Sequence, residues 1–212
     1  YKETIPGFGL PANVDSWKSY LLVPELKSSV TLLDDKNQIV ARLGRAVERL
    51  EEIKDLRSQP DKWLDGQFVH PHDACFTPAG DIFVADGHVG TRVAKFDKHG
   101  KFIKSWGKLG AGNTELDSPH TIAMDSRGRL FVGDRGNNRI QIFDQEGKYL
   151  DTWKQFGRPS GITITRDDTI YVADSESWGP DQPGWKKGIR IGSAKDGSLK
   201  YFIEDMESTT QD

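Results

Sequence analysis

The chain has 212 residues and a formal net charge of −3, so it can bury a sizeable core but lacks the basic surplus expected of a nucleic-acid-binding protein. Its single cysteine, Cys75, excludes an internal disulfide and a cysteine-rich zinc module. No apolar run approaches the roughly 20 residues of a membrane span, so neither nucleic acid nor a membrane is expected as a partner. The first residues do not follow a signal-peptide pattern and include no initiator methionine, so we expect a processed chain or a piece of a longer protein.

The first predicted unit spans residues 10–44. Runs of strand length lie at 19–23, 30–34 and 38–44, and they are rich in residues that favour strands. They correspond to the second, third and fourth strands of a four-stranded unit. The innermost strand is not evident unless residues 10–14 supply it.

A short helical insertion is predicted next, over residues 45–60. Val47, Leu50, Ile53 and Leu56 recur at every third position among charged residues, which is typical of an amphipathic helix. We expect it to separate the first and second units, with its charges in solvent or against a partner.

Three clearer units follow at residues 68–107, 117–154 and 158–205. Each opens near a proline, and Pro71, Pro119 and Pro159 are 48 and 40 residues apart. An aspartate ends the second strand of each unit, at the same two spacings. These aspartates are Asp86, Asp134 and Asp174.

Each unit holds four short strands separated by turn residues, and the period of about 40–50 residues is the signature of a β-propeller blade. The sequence therefore predicts an all-β propeller of about four four-stranded blades in one domain. Because propellers close with four to eight blades, we expect the chain to close as a small ring, to be completed by a partner chain, or to form part of a larger ring.

Residues 128–143, Gly-Arg-Leu-Phe-Val-Gly-Asp-Arg-Gly-Asn-Asn-Arg-Ile-Gln-Ile-Phe, resemble an NHL repeat. The resemblance covers about residues 70–205. Among NHL proteins, the chain most resembles the peptidyl-α-hydroxyglycine α-amidating lyases and their bacterial relatives. The residues that carry this second resemblance are Asp86-Gly87, Arg92-Val93, Gly100-Lys101-Phe102-Ile103, Trp106-Gly107, Pro119-His120 and Asp134-Arg135.

The lyase resemblance implies a six-bladed propeller, with zinc and calcium in its channel, that splits a hydroxyglycine-extended peptide into an amidated peptide and glyoxylate. It also implies a metal ligand at His120 and a catalytic arginine at Arg135. His88 stands where the family has a catalytic tyrosine. The family's histidine-bearing first and last blades and its second arginine have no clear counterpart here. Since these relatives are mostly secreted or periplasmic, the resemblance implies the same compartment.

Residues that differ between the units at matched positions are the candidates for function. His72, His120 and Ser160 follow the three prolines, and innermost strands line the axis of a propeller. We therefore expect these side chains at one end of the channel. Two imidazoles there could hold a divalent metal, zinc or calcium, or each could bond only backbone or water.

The position after the repeated aspartate also varies. Arg135 occupies it in the second clear unit and is suited to a substrate carboxylate, through two parallel hydrogen bonds, or to anchoring a loop. His88 could act as a catalytic base near neutral pH. We predict that Ser160 and Glu176 contact the substrate.

Residues that recur in every unit are expected to be structural. The repeated aspartates should bond neighbouring backbone, and Trp106 and Trp153 should pack in the outer strands. An arginine that recurs at the start of each third strand should be structural too. These arginines are Arg92, Arg139 and Arg190.

Three classes of function follow. The first is a metal-dependent enzyme acting on a peptide or small molecule at the channel, either similar to the amidating lyases or a hydrolase of lactones, esters or phosphotriesters. The second is a non-catalytic NHL scaffold that binds a partner. The third is a partial propeller that forms a homodimer through the edge strands of its first or last blade.

Overall fold

The fold is described from a computed structural model, over residues 11–26, 29–46, 65–88, 90–177 and 184–206. These residues form four four-stranded antiparallel sheets and one two-stranded parallel sheet. The predicted all-β architecture of four-stranded blades is therefore confirmed. Within these residues, no helix has the length and apolar character needed to cross a bilayer.

Blade one consists of β1 (Asp15–Trp17), β2 (Tyr20–Glu25), β3 (Ser29–Leu33) and β4 (Ile39–Leu43). The innermost strand is β1, which begins directly after residues 10–14, the segment named above as a possible source of this strand. A two-residue loop joins β1 to β2, because Trp17 pairs directly with Tyr20. The sequence hides this strand because it is only three residues long and holds two polar residues.

The predicted helical insertion at residues 45–60 begins as a strand. β5 (Arg45–Ala46) pairs in parallel with β6 (Gln67–Phe68), so the prediction was wrong for those first two residues. The rest of the insertion lies outside the described residues.

Blades two, three and four each run from an inner strand to an outer strand in sequence order. The strands of blade two are β7 (Pro71–Phe76), β8 (Ile82–Asp86), β9 (Arg92–Phe96) and β10 (Phe102–Trp106). Those of blade three are β11 (Pro119–Met124), β12 (Leu130–Asp134), β13 (Arg139–Phe143) and β14 (Tyr149–Trp153). Those of blade four are β15 (Gly161–Ile164), β16 (Thr169–Asp174), β17 (Gly188–Ser193) and β18 (Leu199–Glu204).

The hydrophobic core lies between the blades. Three clusters of buried residues each join two successive blades, because every strand presents alternate side chains to opposite faces of its sheet. The inner strands β1, β7, β11 and β15 together line a cavity of about 320 Å³. This cavity is the part of the channel that lies toward the carboxyl ends of the inner strands.

The repeated aspartates join the segment that enters each inner strand to the third strand of the same blade. Asp134 accepts hydrogen bonds from the backbone N–H of Asp117 and from Arg139 Nε, both at 2.7 Å. Both partners of this ion pair are buried, so losing either would cost about 3–5 kcal/mol. The corresponding pairs are Asp86–Arg92 and Asp174–Arg190. The structural role predicted for these residues is confirmed.

Candidate functional site

The amino ends of two inner strands each carry a β-bulge at a histidine. In β7 the register shifts between Pro71 and Asp73, so His72 has no residue opposite it on β8. The same shift leaves His120 without an opposite residue in β11. A bulge redirects a side chain away from the regular alternation of a strand, and here it does so at matched positions of neighbouring blades.

Four histidines come together at this end of the channel, and we call them the histidine cluster: His70, His72, His88 and His120. The rings of His72 and His120 are 3.8 Å apart between centroids. His88 stacks on His72 at 5.3 Å and lies 6.0 Å from His70. Sequence positions as far apart as 50 residues thus form one group of imidazoles.

The loop that carries His88 rests directly on blade three. Gly87 has no room for a side chain, because a Cβ there would collide with the backbone carbonyl of Pro119. His88 itself adopts a left-handed backbone conformation, with φ of 58°, which is uncommon for a non-glycine residue. This close approach brings the exposed His88 ring to the inner strand that carries His120.

His120 has a defined tautomer. Its Nδ1 lies 2.8 Å from the backbone carbonyl oxygen of Ser160, and since a carbonyl only accepts, Nδ1 must carry the proton. Burial, followed by the positive charge of Arg135, lowers the pKa of His120 to about 4. The ring is therefore neutral at pH 7 and its Nε2 keeps a lone pair.

His72 is also neutral at pH 7. Burial, followed by the charges of His120 and His88, lowers its pKa to about 3. Its Nε2 is buried and has no hydrogen-bond partner within the described part of the chain, and the same holds for Nδ1 of His70. Buried polar atoms are normally partnered, so these nitrogens are available to a ligand.

Arg135 lies at the same end of the channel, in a 3₁₀ turn at Arg135–Asn137 that follows β12. Its Nη1 donates to Oε1 of Glu176 at 2.6 Å. The other carboxylate oxygen of Glu176 accepts from Nε of Arg158 at 2.8 Å. Glu176 thus bridges two arginines at the edge of the histidine cluster.

Two serines complete this edge of the site. The hydroxyl groups of Ser160 and Ser175 lie 2.7 Å apart. Ser160 also holds His120 through its carbonyl group, so it orients an imidazole besides presenting a hydroxyl at the surface.

A metal would have two imidazole ligands in this arrangement. His120 offers Nε2 in the correct tautomer, and His72 offers a buried unpartnered Nε2. Within the described residues, no group of three or more histidine, cysteine, aspartate or glutamate side chains has a geometry suited to a metal. The remaining coordination positions would fall to water or substrate.

The structure brings together every residue predicted for the site: His72, His88, His120, Arg135, Ser160 and Glu176. Sequence analysis missed Arg158, which is the partner of Glu176. The sequence could have indicated Arg158, because it directly precedes Pro159 just as His70, a member of the histidine cluster, directly precedes Pro71. The remaining histidine of the sequence, His99, is exposed in the turn between β9 and β10.

Comparison with known proteins agrees with the fold and the repeat. The NHL repeat model matches residues 116–143, which span β11 to β13. The hydrazine synthase of Kuenenia stuttgartiensis superposes with a TM-score of 0.63 and 16% sequence identity over 96% of this chain and 53% of that one. Residues 116–143 therefore match an NHL repeat, and the four-stranded sheets are blades of the propeller type.

Two groups of curated proteins share part of its sequence. Human NHL repeat-containing protein 3 is 36% identical over 78 residues, which cover 36% of this chain and 22% of that protein. Peptidyl-glycine alpha-amidating monooxygenase B of Xenopus laevis is 34% identical over 125 residues, which cover 51% of this chain and 14% of that protein. The chain therefore spans less than a quarter of either relative.

Proposed function

We propose that the histidine cluster and Arg135 form the active site of a metal-dependent enzyme whose substrate, a peptide or small molecule, bears a carboxylate. The observation that carries this proposal is the convergence of neutral imidazoles, with an available nitrogen on both His72 and His120, beside a buried arginine. The similarity to amidating monooxygenases supports a lyase of the amidating type.

The two buried imidazoles would hold the metal. The hydrogen bond to Ser160 orients the His120 ring, as outer partners of metal-binding histidines commonly do. A divalent ion bound there would polarise a hydroxyl or carbonyl oxygen of the substrate. Zinc suits imidazole ligands better than calcium, which prefers oxygen ligands.

The chain's own residues would bind the substrate and move the proton. Arg135 would hold the carboxylate of a hydroxyglycine-extended peptide. His88 would take the proton of the hydroxyl group and return it to the amide nitrogen as the carbon–nitrogen bond breaks. The products are an amidated peptide and glyoxylate, and no oxidant or reductant is required. Burial and the charge of Arg135 lower the pKa of His88, so its ring can accept a proton at neutral pH.

The metal is tested by elemental analysis of the purified chain beside His72→Ala, His120→Ala and the control His99→Ala. We expect about one divalent ion in wild type and in the control, and loss of that ion in the two cluster variants. Thermal unfolding of each variant separates loss of the metal from loss of the fold. A wild-type protein that binds no ion after dialysis against zinc would overturn the metal-dependent proposal.

The reaction is tested by release of glyoxylate from a hydroxyglycine-extended peptide. We expect Arg135→Lys to lower kcat/KM by about tenfold or more, because lysine cannot form two parallel hydrogen bonds with a carboxylate. Hydrolysis of lactones or phosphotriesters without glyoxylate release would assign the same site to a hydrolase.

An exposed apolar face on blade four favours a second candidate function, a scaffold that binds a partner. We call the following residues the open face: Thr163, Tyr171, Ala173, Ile189, Ile191, Tyr201 and Ile203. They lie in two cross-strand rows on one side of the sheet, and most are exposed. Normal partner capture by Arg135→Lys, together with a metal-free wild type, would support this function over catalysis.

A further inference from the structure

Glu176 occupies a position that varies between blades. It is the second residue after Asp174, as His88 is the second residue after Asp86. The matched loops of blades two and four therefore carry a glutamate that contacts Arg135 of blade three and a histidine that lies close enough to feel its charge. The side chain of Glu176 remains 42% exposed although it binds two arginines.

Arg135 is incompletely satisfied by this contact. Its side chain is only 11% exposed, and Glu176 contacts it at Nη1. The Nε atom is buried and has no hydrogen-bond partner among the residues that the structure describes. A guanidinium group favours paired contacts with both oxygens of one carboxylate, and Glu176 cannot supply them because its second oxygen is held by Arg158.

We propose that the carboxylate of Glu176 competes with the carboxylate of a ligand for binding to Arg135. In the unliganded chain Glu176 neutralises Arg135 through one hydrogen bond. A ligand carboxylate replaces it, bonds Nη1 and Nη2 together, and leaves Glu176 on Arg158. This inference rests on the proposed function of the site, because it assigns the ligand's anionic group to Arg135.

The same arrangement selects the charge of the ligand. Glu176 remains close to the site after the exchange, because Arg158 holds it. A second negative charge on the ligand would face this carboxylate, and like charges at short range are unfavourable. The ligand class is therefore a monocarboxylate rather than a dianion such as phosphate.

The test is titration of the full chain with N-acetylglycine, followed by NMR, for wild type and Glu176→Gln. Glutamine keeps the shape of glutamate and removes its charge. We expect binding to Glu176→Gln to be about two- to fivefold tighter, the range for release of a partly exposed ion pair. We expect Arg135→Gln to lose this binding, and N-acetylglycinamide, which has no carboxylate, not to compete.

The matched control is Glu204→Gln, which removes a glutamate from the outer strand of the same blade, where it pairs with Lys186. Its affinity should equal that of wild type. Equal or weaker binding to Glu176→Gln would overturn the proposal, as would absence of binding to both proteins. Since this titration needs no metal, a metal-free chain that still shows the expected exchange would reject only the metal-dependent activity.

Discussion

Blades three and four have the same strand order and the same aspartate–arginine pair, yet their second strands lie in different environments. Phe131 in β12 is fully buried, whereas the matched Tyr171 in β16 is 39% exposed. The difference arises from the neighbouring blade, because blade four covers one face of blade three while its own open face remains exposed. The repeated sequence specifies the four-stranded sheet, and the adjacent blade decides how much each residue contributes to the stability of the fold.

The same contrast appears two residues further along these strands. A Cβ at Gly133 would collide with the Thr121 methyl group and approach Pro159 of blade four to 3.2 Å. At the matched position, blade four carries Ala173, which is exposed. Glycine is required where the next blade packs closely, and alanine is tolerated on the open face.

The largest expected effect is that of Phe131→Ala compared with Tyr171→Ala. Removing the buried ring of Phe131 should lower the free energy of unfolding by about 3–5 kcal/mol, because it leaves a cavity between two blades. Tyr171→Ala should cost about 1 kcal/mol or less, since most of its environment is already solvent or its own sheet. Urea denaturation of both variants measures the difference. Equal costs would mean that the open face is covered in solution.

A smaller effect is expected from filling the space at Gly133. Gly133→Ala should destabilise the chain by about 1–3 kcal/mol, the usual cost of overpacking. The reverse change in blade four, Ala173→Gly, should cost only about 0.5–1 kcal/mol through backbone entropy. Thermal unfolding ranks the two variants, and a Gly133→Ala variant as stable as wild type would show that blades three and four separate easily.

A third comparison concerns hydrogen bonds between the inner strands. Thr121 donates to buried Asp73 of blade two and accepts from the backbone N–H of Ile162 of blade four. The matched residue of blade four, Gly161, has no side chain with which to continue this pattern. Thr121→Val should cost about 1–3 kcal/mol, because it removes a hydrogen bond to Asp73 and takes the side-chain partner of the buried Ile162 N–H away. The exposed Thr163→Val is the control, expected to change stability by about 0.5 kcal/mol or less.

The pH dependence should distinguish blades two and three from blade four, which has Ser160 at the histidine position. The pKa values of His72 and His120 are about 3 and about 4 in the folded chain, below the unfolded value of about 6.5. Between those limits the unfolded chain binds more protons, so stability falls as pH falls from 6.5 toward 4. His72→Ala and His120→Ala should each reduce this acid sensitivity, and His99→Ala should leave it unchanged.

Asp73 should contribute a slope of the opposite sign. Burial raises its pKa to about 7, from the ordinary value of 3.8. The folded chain therefore retains a proton that the unfolded chain has released, and stability falls as pH rises from about 4 toward 7. Denaturation midpoints of Asp73→Asn across this range should lack that decline.

The histidine prediction has its own contrary outcome. If His72→Ala leaves the dependence of stability on pH unchanged, the histidine cluster is open to solvent.

The sequence by itself determined the repeated unit. Prolines at regular spacings marked the start of each inner strand to within two residues, and aspartates at the same spacings marked the end of each second strand. The apolar runs between turn residues predicted most of the other strands. The candidate residues could also be predicted, because His72, His120 and Arg135 interrupt a pattern that is otherwise repeated. Two strands could not be recognised from the sequence. β1 is too short and polar, and β5 is stabilised by pairing with β6 rather than by its own sequence.

Only the tertiary structure decided which of these residues meet and in what state. The tautomer of His120 depends on a carbonyl group 40 positions away, and the bridge between Arg135 and Arg158 depends on a glutamate from a loop of blade four. Neither follows from spacing, because contacts between blades join residues far apart in sequence. The low pKa values of the histidines arise from the same cause, since burial and neighbouring charges exist only once the blades have packed.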